Sequence, residues 1–462
     1  MSATQRLSNM AGHLDPRTWS GKGLNAAQLK NENDVVIVAS GRTPQCKAFK
    51  GGLKDTPFDV LCLELFKGIL AKSSIDPALI EDVVVGNVAN DNAAYGVRAA
   101  SLAAGIPKET PSLIVNRFCS SGLMAIRSVA NQIQAGEIEC GLAAGVESMS
   151  THPKREIKVN EEISSANQDA ADCSMPMGWT SENVARDFNV TRQQMDAYAA
   201  RSHARASQAQ KSGFFREEIL PINAITKNED GSKSYKVVDQ DDGIRHGSTP
   251  EALAKIRPAF PQWGETTTGG NASQITDGGA AVILMKRSLA ERLGYKILAK
   301  YVSCAVSGLA PRIMGIGPAL AVPKVLEQTG IKPDEVDEFI VNEAFSSMAV
   351  YVQRELNIPD NKYNTTGGSV ALGHPLGCTG TRLVVNGLHN LERTKGKVAV
   401  ISMVSAVVLR LLMTVKTFIL LTSSLLTISI LHSASVRDKE QQAFSFARSK
   451  KSSKQMVLFS AL

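Results

Sequence analysis

The sequence lacks the cysteine and histidine patterns that mark disulfide-rich domains and metal sites. Its seven cysteines are scattered, without a CxxC pair, and its seven histidines form no HExxH motif or Cys/His cluster. This usage favours a reducing compartment and predicts no metal site. There is no P-loop, and Gly315 and Gly317 are not followed by the rest of a dinucleotide fingerprint. We therefore expect no permanently bound cofactor.

Glycine, proline and acidic residues are scarce near the C-terminus. All 36 glycines precede residue 397, and the last 66 residues contain neither glycine nor proline. Residues 404–462 contain eight Lys/Arg and two Asp/Glu, which account for most of the net charge of +7. The rest of the chain is nearly neutral, so its charge gives no support to nucleic-acid binding. We therefore treat 404–462 as a divergent tail.

The N-terminus has no apolar stretch of the kind that a secretory signal requires. Arg6-Leu7 and His13-Leu14, five residues apart, match the R-L-x5-H-L address of the second peroxisomal import route. A receptor reads such addresses, which need no membrane anchor. The alternative is an amphipathic N-terminal helix with chance matches. We predict that residues 1–33 are a peroxisomal targeting segment and that an import receptor is a partner.

The remainder of the chain alternates short apolar runs with helical periodicity, which predicts an α/β fold with a mostly parallel sheet. Residues 151–265 are more polar and predict an inserted region of helices and loops. After this region, the pattern of the first part recurs, which suggests two similar halves with one site between them. The apolar runs are 34–39, 82–86, 112–115, 140–145, 277–285, 297–302 and 338–341.

Cys119 lies between the strand candidate 112–115 and a helical pattern that begins at Gly122. A helix N-terminus offers unpaired N–H groups and a positive dipole end, which favour a thiolate. Cys119 is therefore a candidate nucleophile, although a buried and inert core cysteine is the commoner outcome. The residues alone leave both interpretations open.

The second half carries two candidates at comparable places. Asn342 follows the strand candidate 338–341, and His374 lies in a glycine-rich segment before a helical pattern at 381–393. A structural histidine and a helix N-cap are the respective alternatives.

Together these segments resemble the thiolases, specifically the peroxisomal 3-ketoacyl-CoA thiolases, over about 34–403. The resemblance implies a thiolase-like pair of αβαβα halves, 34–294 and 295–403, with a loop domain at 151–265. It also implies a homodimer in the peroxisome that uses CoA as co-substrate to cleave 3-ketoacyl-CoA in fatty-acid β-oxidation. The motifs are Asn116-Arg-Phe-Cys-Ser-Ser-Gly-Leu123, Gly145-Val-Glu-Ser-Met149, Gly270-Asn-Ala-Ser273, Asn342-Glu-Ala-Phe345 and Gly373-His-Pro-Leu-Gly377.

The same resemblance assigns roles to individual residues. Cys119 matches the family nucleophile, His374 its base, and Asn342 the residue that holds a water for oxyanion stabilisation. For CoA and the acyl chain it implies three further residues: Ser273, Arg245 and Met177. A surface role for the arginine and a core role for the methionine remain open. Phe118 replaces a usual glutamine, a change that we expect to affect packing more than chemistry.

The resemblance ends after Met403, where the family continues with Cys-x-Gly-x-Gly-Met-Gly. Here Val404 occupies the place of the second catalytic cysteine and Ala406 that of a glycine. Because a positioned acid/base contributes about 10²–10⁴-fold to rate, we predict impaired turnover. Cys378, four residues after His374, is a disfavoured stand-in, since family members can carry a cysteine there as well.

The divergent tail has three interpretations. Residues 417–431 contain no charge but are short for a membrane span, which needs ~20 residues, so membrane contact is not favoured. Residues 407–415 are a candidate closing strand. Translation through an intron or a shifted frame is favoured, because every motif disappears at one point.

Two other functions remain open. One is a non-catalytic, membrane-associated isoform that pairs with an intact subunit. The other is condensation as in ketoacyl synthases, which share the cysteine nucleophile but lack the block from Asn342 to Phe345.

Overall fold

The computed structural model describes residues 21–152, 159–404 and 415–422, the last range by its backbone. The strands are β1 (Val35–Arg42), β2 (Cys46–Lys47), β3 (Asp82–Gly86), β4 (Ser112–Val115), β5 (Cys140–Glu147), β6 (Ile222–Lys227), β7 (Lys233–Val238), β8 (Thr276–Lys286), β9 (Ala299–Ser307), β10 (Glu338–Val341), β11 (Val398–Met403) and β12 (Val415–Thr422).

The α-helices range from one turn to five turns in length. They are α1 (Leu24–Gln28), α2 (Phe58–Ser73), α3 (Ala93–Ala103), α4 (Ser121–Ala135), α5 (Glu161–Ser164), α6 (Gln168–Asp172), α7 (Met177–Asp187), α8 (Arg192–Lys211), α9 (Pro250–Ala254), α10 (Arg287–Leu293), α11 (Gly317–Thr329), α12 (Ser346–Glu355), α13 (Ser369–Leu372) and α14 (Leu376–Thr394).

The N-terminal half contains a mixed sheet in the order β4-β3-β5-β8-β1. β3 pairs in parallel with both β4 and β5, whereas β8 is antiparallel to β5 and β1. β1, β3 and β5 are buried along their whole length. Helices cover both faces of the sheet, so these strands are buried on both sides. Their sequences are therefore continuous apolar runs.

The C-terminal half repeats this pairing with β10-β11-β12-β9. β10 and β11 are parallel, and β12 is antiparallel to both β11 and β9, as β8 is to β5 and β1. The two halves meet through a short antiparallel pairing of β1 with β9. The repeated topology confirms the predicted duplication and the α/β class.

Three apolar clusters divide the core into layers. One joins the N-terminal sheet to α2 and α3, and another joins the C-terminal sheet to α11 and α12. The third contains side chains of α4 and α14 together with strands of both sheets. These two helices therefore form a middle layer between the sheets, which gives the order helix, sheet, helix, sheet, helix.

The region predicted as helices and loops contains α5 to α9, as expected, but also a two-stranded hairpin of β6 and β7. The hairpin escaped prediction because β7 is largely exposed and polar. Order also begins earlier than the predicted Asp34. The Gly23 N–H donates to Thr329 O (2.7 Å), and Ala27 of α1 is fully buried.

A strand that closes the C-terminal sheet lies at Val415–Thr422. Of the predicted stretch 407–415, residues 407–414 lie outside the described residues. The tail nevertheless supplies a strand between β11 and β9, in the place that β8 takes in the first half. The import motif at residues 6–14 and Ala406 lie outside the described residues. In the described part of the chain, no helix has the length and apolar character that crossing a membrane requires.

Candidate active site

Cys119 lies in a tight turn between β4 and α4. Phe118 adopts a left-handed conformation (φ +49°), and its N–H donates to Asn116 Oδ1 (2.9 Å). Ser121, the first residue of α4, donates from N and Oγ to Phe118 O (2.9 and 2.6 Å). These bonds hold the 8% exposed Cys119 two residues before the helix begins. This is the predicted position at a helix N-terminus, where a thiolate is favoured.

His374 is held in one tautomer by the start of α14. Its Nδ1 lies 2.7 Å from Thr379 Oγ1, and that hydroxyl donates to Pro375 O (2.9 Å). Because the hydroxyl proton is engaged, Nδ1–H is the donor and Nε2 keeps its lone pair. Burial, together with the nearby charge of Arg382, lowers the pKa of His374 to about 3. The imidazole is therefore neutral and able to accept a proton at Nε2.

Asn342 directs its amide at this nitrogen from the end of β10. Its Nδ2 lies 3.4 Å from His374 Nε2, and its Oδ1 accepts from Ser369 Oγ (2.6 Å). The following helix α12 has Phe345 as its N-cap, so the N-cap interpretation of Asn342 is wrong. The structure thus brings together the two candidates of the second half.

The nucleophile candidate reaches the same end of the middle layer because α4 and α14 approach closely. A Cβ atom on Gly122 would lie 2.6 Å from Thr381 Oγ1, and one on Gly380 would lie 2.5 Å from Leu123 N. Only glycine permits such an approach without displacing backbone. Cys119 precedes the first turn of one helix and His374 the first turn of the other.

A buried carboxylate fixes this approach from the N-terminal sheet. Glu147, at the end of β5, accepts from the N–H groups of Gly377 (2.8 Å), at the start of α14, and Val88 (3.0 Å). Burial raises its pKa to about 7 despite these donors. The motif Gly145–Met149 contains this glutamate, but no sequence pattern indicated its contact with α14.

An apolar group that we call the methionine cluster borders the nucleophile. Phe118, beside Cys119, packs into it, and Met177 at the start of α7 does so as well. Val404, which directly follows β11, is 3% exposed and belongs to its buried part. The other members are Cys173, Leu309, Met314, Ala344, Phe345 and Met348.

The two remaining candidates lie along the loop that contains residues 269–273. The Ser273 N–H donates to Ala344 O (3.0 Å), which ties this half-buried residue to the segment after Asn342. Arg245 Nη2 donates to Gly269 O (3.1 Å), and its backbone N–H donates to His203 Nδ1 (3.1 Å). This side chain therefore braces the loop.

Cys378 faces the core of the middle layer. Its side chain is fully buried, and its Sγ lies 3.8 Å from Gln45 Nε2. Burial raises its pKa to about 12. Such a thiol holds its proton at neutral pH, which weighs against a role as a proton-exchanging cysteine.

Three polar residues that orient the candidates were missed from the sequence: Ser369, Thr379 and Arg382. They lie in or near the glycine-rich segment, but their partners are set by the junction of β10, α13 and α14. No group of three or more His, Cys, Asp and Glu side chains in the described ranges could hold a metal ion.

Comparison with known proteins identifies both halves. The family model for the thiolase N-terminal domain matches residues 35–288, and that for the thiolase C-terminal domain matches 295–415. The peroxisomal 3-ketoacyl-CoA thiolase B of Candida tropicalis is 50% identical over 384 residues, covering 82% of this chain and 91% of that protein.

Solved structures give the same result. The dimeric peroxisomal thiolase of Saccharomyces cerevisiae matches with a TM-score of 0.77 and 42% identity, covering 87% of this chain and 100% of that one. Human mitochondrial 3-ketoacyl-CoA thiolase in complex with CoA matches with a TM-score of 0.74 and 33% identity, covering 85% and 98%. The chain described here belongs to the thiolase family.

Proposed function

We propose that this chain is a 3-ketoacyl-CoA thiolase of fatty-acid β-oxidation that forms its acyl-enzyme on Cys119. The observation that carries the proposal is the packing of the start of α4, which follows Cys119, against the start of α14, which follows His374, where a Cβ on Gly122 would lie 2.8 Å from Gly377 O. Relatives at 43–50% identity are named peroxisomal 3-ketoacyl-CoA thiolases. The same activity is therefore the reaction that this site supports best.

In the first half-reaction, Cys119 Sγ bonds to the keto carbon at C3 while its proton passes to His374 Nε2. The C2–C3 bond then breaks, and its electron pair leaves with the CoA thioester as an enolate, which takes up a proton from water to become acetyl-CoA. The first proton transfer requires a neutral imidazole with a free Nε2 lone pair, and the contact of Nδ1 with Thr379 Oγ1 leaves Nε2 in that state.

In the second half-reaction, free CoA gives up its thiol proton to water and its sulfur attacks the carbonyl carbon of the Cys119 thioester. The bond to Cys119 breaks, the Cys119 sulfur takes back its proton from His374, and the shortened acyl-CoA leaves. Asn342 Nδ2 is the donor that would hold a water at the developing oxyanion, and its buried position strengthens such an interaction.

CoA is the co-substrate in this proposal, and three residues are assigned to it and to the acyl chain. Ser273 would line the path of the pantetheine arm, and Arg245 would face the nucleotide. Met177 would contact the acyl chain, which is supported by its packing in the same cluster as Phe118. A thiolase of this fold has been solved with CoA.

The missing second cysteine makes turnover slow in this proposal. Val404 is buried and apolar, so it neither gives nor takes a proton where the family cysteine would. Loss of one positioned acid/base lowers a rate by about 10²–10⁴-fold. The acylation of Cys119 depends less on this residue than the proton transfers to the enolate and from the CoA thiol.

The remaining assignments follow the relatives. We infer a peroxisomal location and recognition of residues 6–14 by an import receptor, because the relatives are named peroxisomal and the N-terminal motif matches. We also infer a homodimer, since the yeast relative is described as dimeric.

The test separates acylation from turnover. Purified protein is incubated with acetoacetyl-CoA, and acyl-Cys119 is measured by peptide mass spectrometry; acetyl-CoA release is then followed with and without free CoA. We expect acylation of Cys119, slow CoA-dependent release, and neither in Cys119→Ala. Acetyl-CoA release that persists in Cys119→Ala would overturn the nucleophile assignment, and fast turnover would overturn the impairment.

A further inference from the structure

Arg382 is a buried cation with few partners. Its side chain is 1% exposed, and its Nη2 donates to Ser369 Oγ (2.6 Å). Across the described ranges, its Nε and Nη1 have no hydrogen-bond partner. Burying a charge without a hydrogen-bonded counter-ion costs free energy. Because this cost lowers stability, we expect Arg382 to have a role other than stabilising the fold.

The bond from Arg382 starts a chain of donors that ends at the candidate base. A guanidinium only donates, so Ser369 Oγ must accept from it and has its own proton free for Asn342 Oδ1 (2.6 Å). With Oδ1 engaged in this way, the amide presents Nδ2 to His374 Nε2 (3.4 Å). Arg382 therefore sets the donor direction of every hydrogen bond in this series.

The acidic side chains near Arg382 are engaged with other partners, so its positive charge is not paired with them. Its charged or titratable neighbours are Arg42, Glu218, Glu343 and Cys378. Glu218 already pairs with Arg42 (2.7 Å), and Glu343 accepts from Tyr198 and Ser202. The Cys378 thiol is neutral, since burial raises its pKa to about 12.

We propose that Arg382 is a positioning residue for the thiolase reaction, which orients the Asn342 amide through Ser369 and places a buried positive charge at the site of His374. This proposal uses one assumption of the proposed function, namely that His374 is the base for Cys119. A purely structural arginine would join α13 to α14 without affecting the state of the imidazole.

The first experiment needs no catalysis. Histidine labelled with ¹⁵N and ¹³C is introduced, and the His374 resonances are assigned by their absence in His374→Asn. The wild-type imidazole should stay neutral, with its proton on Nδ1, down to pH 5. Arg382→Met should move its titration upward, whereas Arg382→Lys, which retains the charge, should not. Ser369→Ala should shift the Nε2 resonance without moving the titration.

The second experiment follows single-turnover acylation of Cys119 by acetoacetyl-CoA. Ser369→Ala and Arg382→Met should both slow acylation by about 10²-fold, the usual effect of a misplaced catalytic group, with little change in the substrate concentration at half-maximal rate. In Arg382→Met the acid limb of the pH profile should also move upward.

These outcomes separate the alternatives. A Ser369→Ala variant with the wild-type Nε2 resonance and acylation rate would overturn the relay. An Arg382→Met titration equal to that of the wild type would overturn the role of charge. If Arg382→Met does not fold, the Nε2 resonance and the acylation rate of Ser369→Ala still decide the relay. If the wild type forms no acyl-Cys119, the proposed function fails while the histidine spectra still test Arg382.

Discussion

Gly122 of α4 lies directly against Thr381 of α14, and no side chain fits between them. A Cβ at Gly122 would lie 2.6 Å from Thr381 Oγ1 and 2.7 Å from its backbone nitrogen. Because backbone atoms cannot give way cheaply, this contact sets the separation of the two middle helices. The distance between the nucleophile and the base therefore depends on a glycine that performs no chemistry.

Replacing this glycine should damage stability and activity together. We expect Gly122→Ala to lower the free energy of unfolding by about 1–3 kcal/mol through overpacking, and to slow Cys119 acylation by about 10²-fold through displacement of the helix ends. Gly269→Ala is the matched control, because a Cβ there meets nothing within 4 Å. Denaturant unfolding and the rate of Cys119 acylation are measured for both variants. Equal effects of the two substitutions on stability and on acylation would contradict this explanation.

Cys378 should be dispensable for proton transfer. The thiol is fully buried, and its pKa is raised to about 12, so it keeps its proton throughout the neutral range. We expect Cys378→Ala to leave acylation and CoA-dependent turnover within about threefold of wild type, since a general acid/base would contribute about 10²-fold or more. If turnover disappears while acylation persists, Cys378 replaces the missing cysteine after all.

The sequence pattern predicted the structure correctly where one short segment determines it. The strands 82–86 and 112–115 have the predicted bounds, and Cys119 lies at the predicted turn, because apolar runs and a helix start are encoded in adjacent residues. The pairing of His374 with Asn342 followed from family motifs, not from spacing.

Tertiary partners explain what the sequence did not reveal. Ser369 and Arg382 are ordinary polar residues until β10 and α14 bring Asn342 beside them. The sequence alone did not identify 415–422 as a closing strand, because the neighbouring run 407–415 is similarly apolar and the pairing of β12 with β9 and β11 is a tertiary feature.

Glu338 should make stability fall as pH rises. It is 3% exposed on β10, and burial raises its pKa to about 7 although Thr365 donates to it. A carboxyl with a higher pKa in the folded state gives stability that is complete below pH 4.5 and is lost as pH rises through 7. Relative to Glu338→Gln, wild type should lose about 3 kcal/mol between pH 4.5 and 8.

Urea unfolding of both proteins at several pH values measures this difference and cancels the contribution of other groups, such as Glu147. A difference in the free energy of unfolding that stays constant from pH 4.5 to 8 would refute the buried, protonated state of Glu338.

Restoring a thiol at Val404 should increase turnover more than acylation. The side chain lies in the methionine cluster with Phe118, next to the nucleophile, so a thiol there could exchange protons with the enolate and with CoA. We expect Val404→Cys to raise the kcat of CoA-dependent cleavage by about 10²–10⁴-fold, with acylation of Cys119 nearly unchanged. Val404→Ala controls for the smaller side chain, and Val404→Ser for a hydroxyl of similar shape. If all three variants turn over equally slowly, the defect lies beyond residue 404, where the family turn is lost.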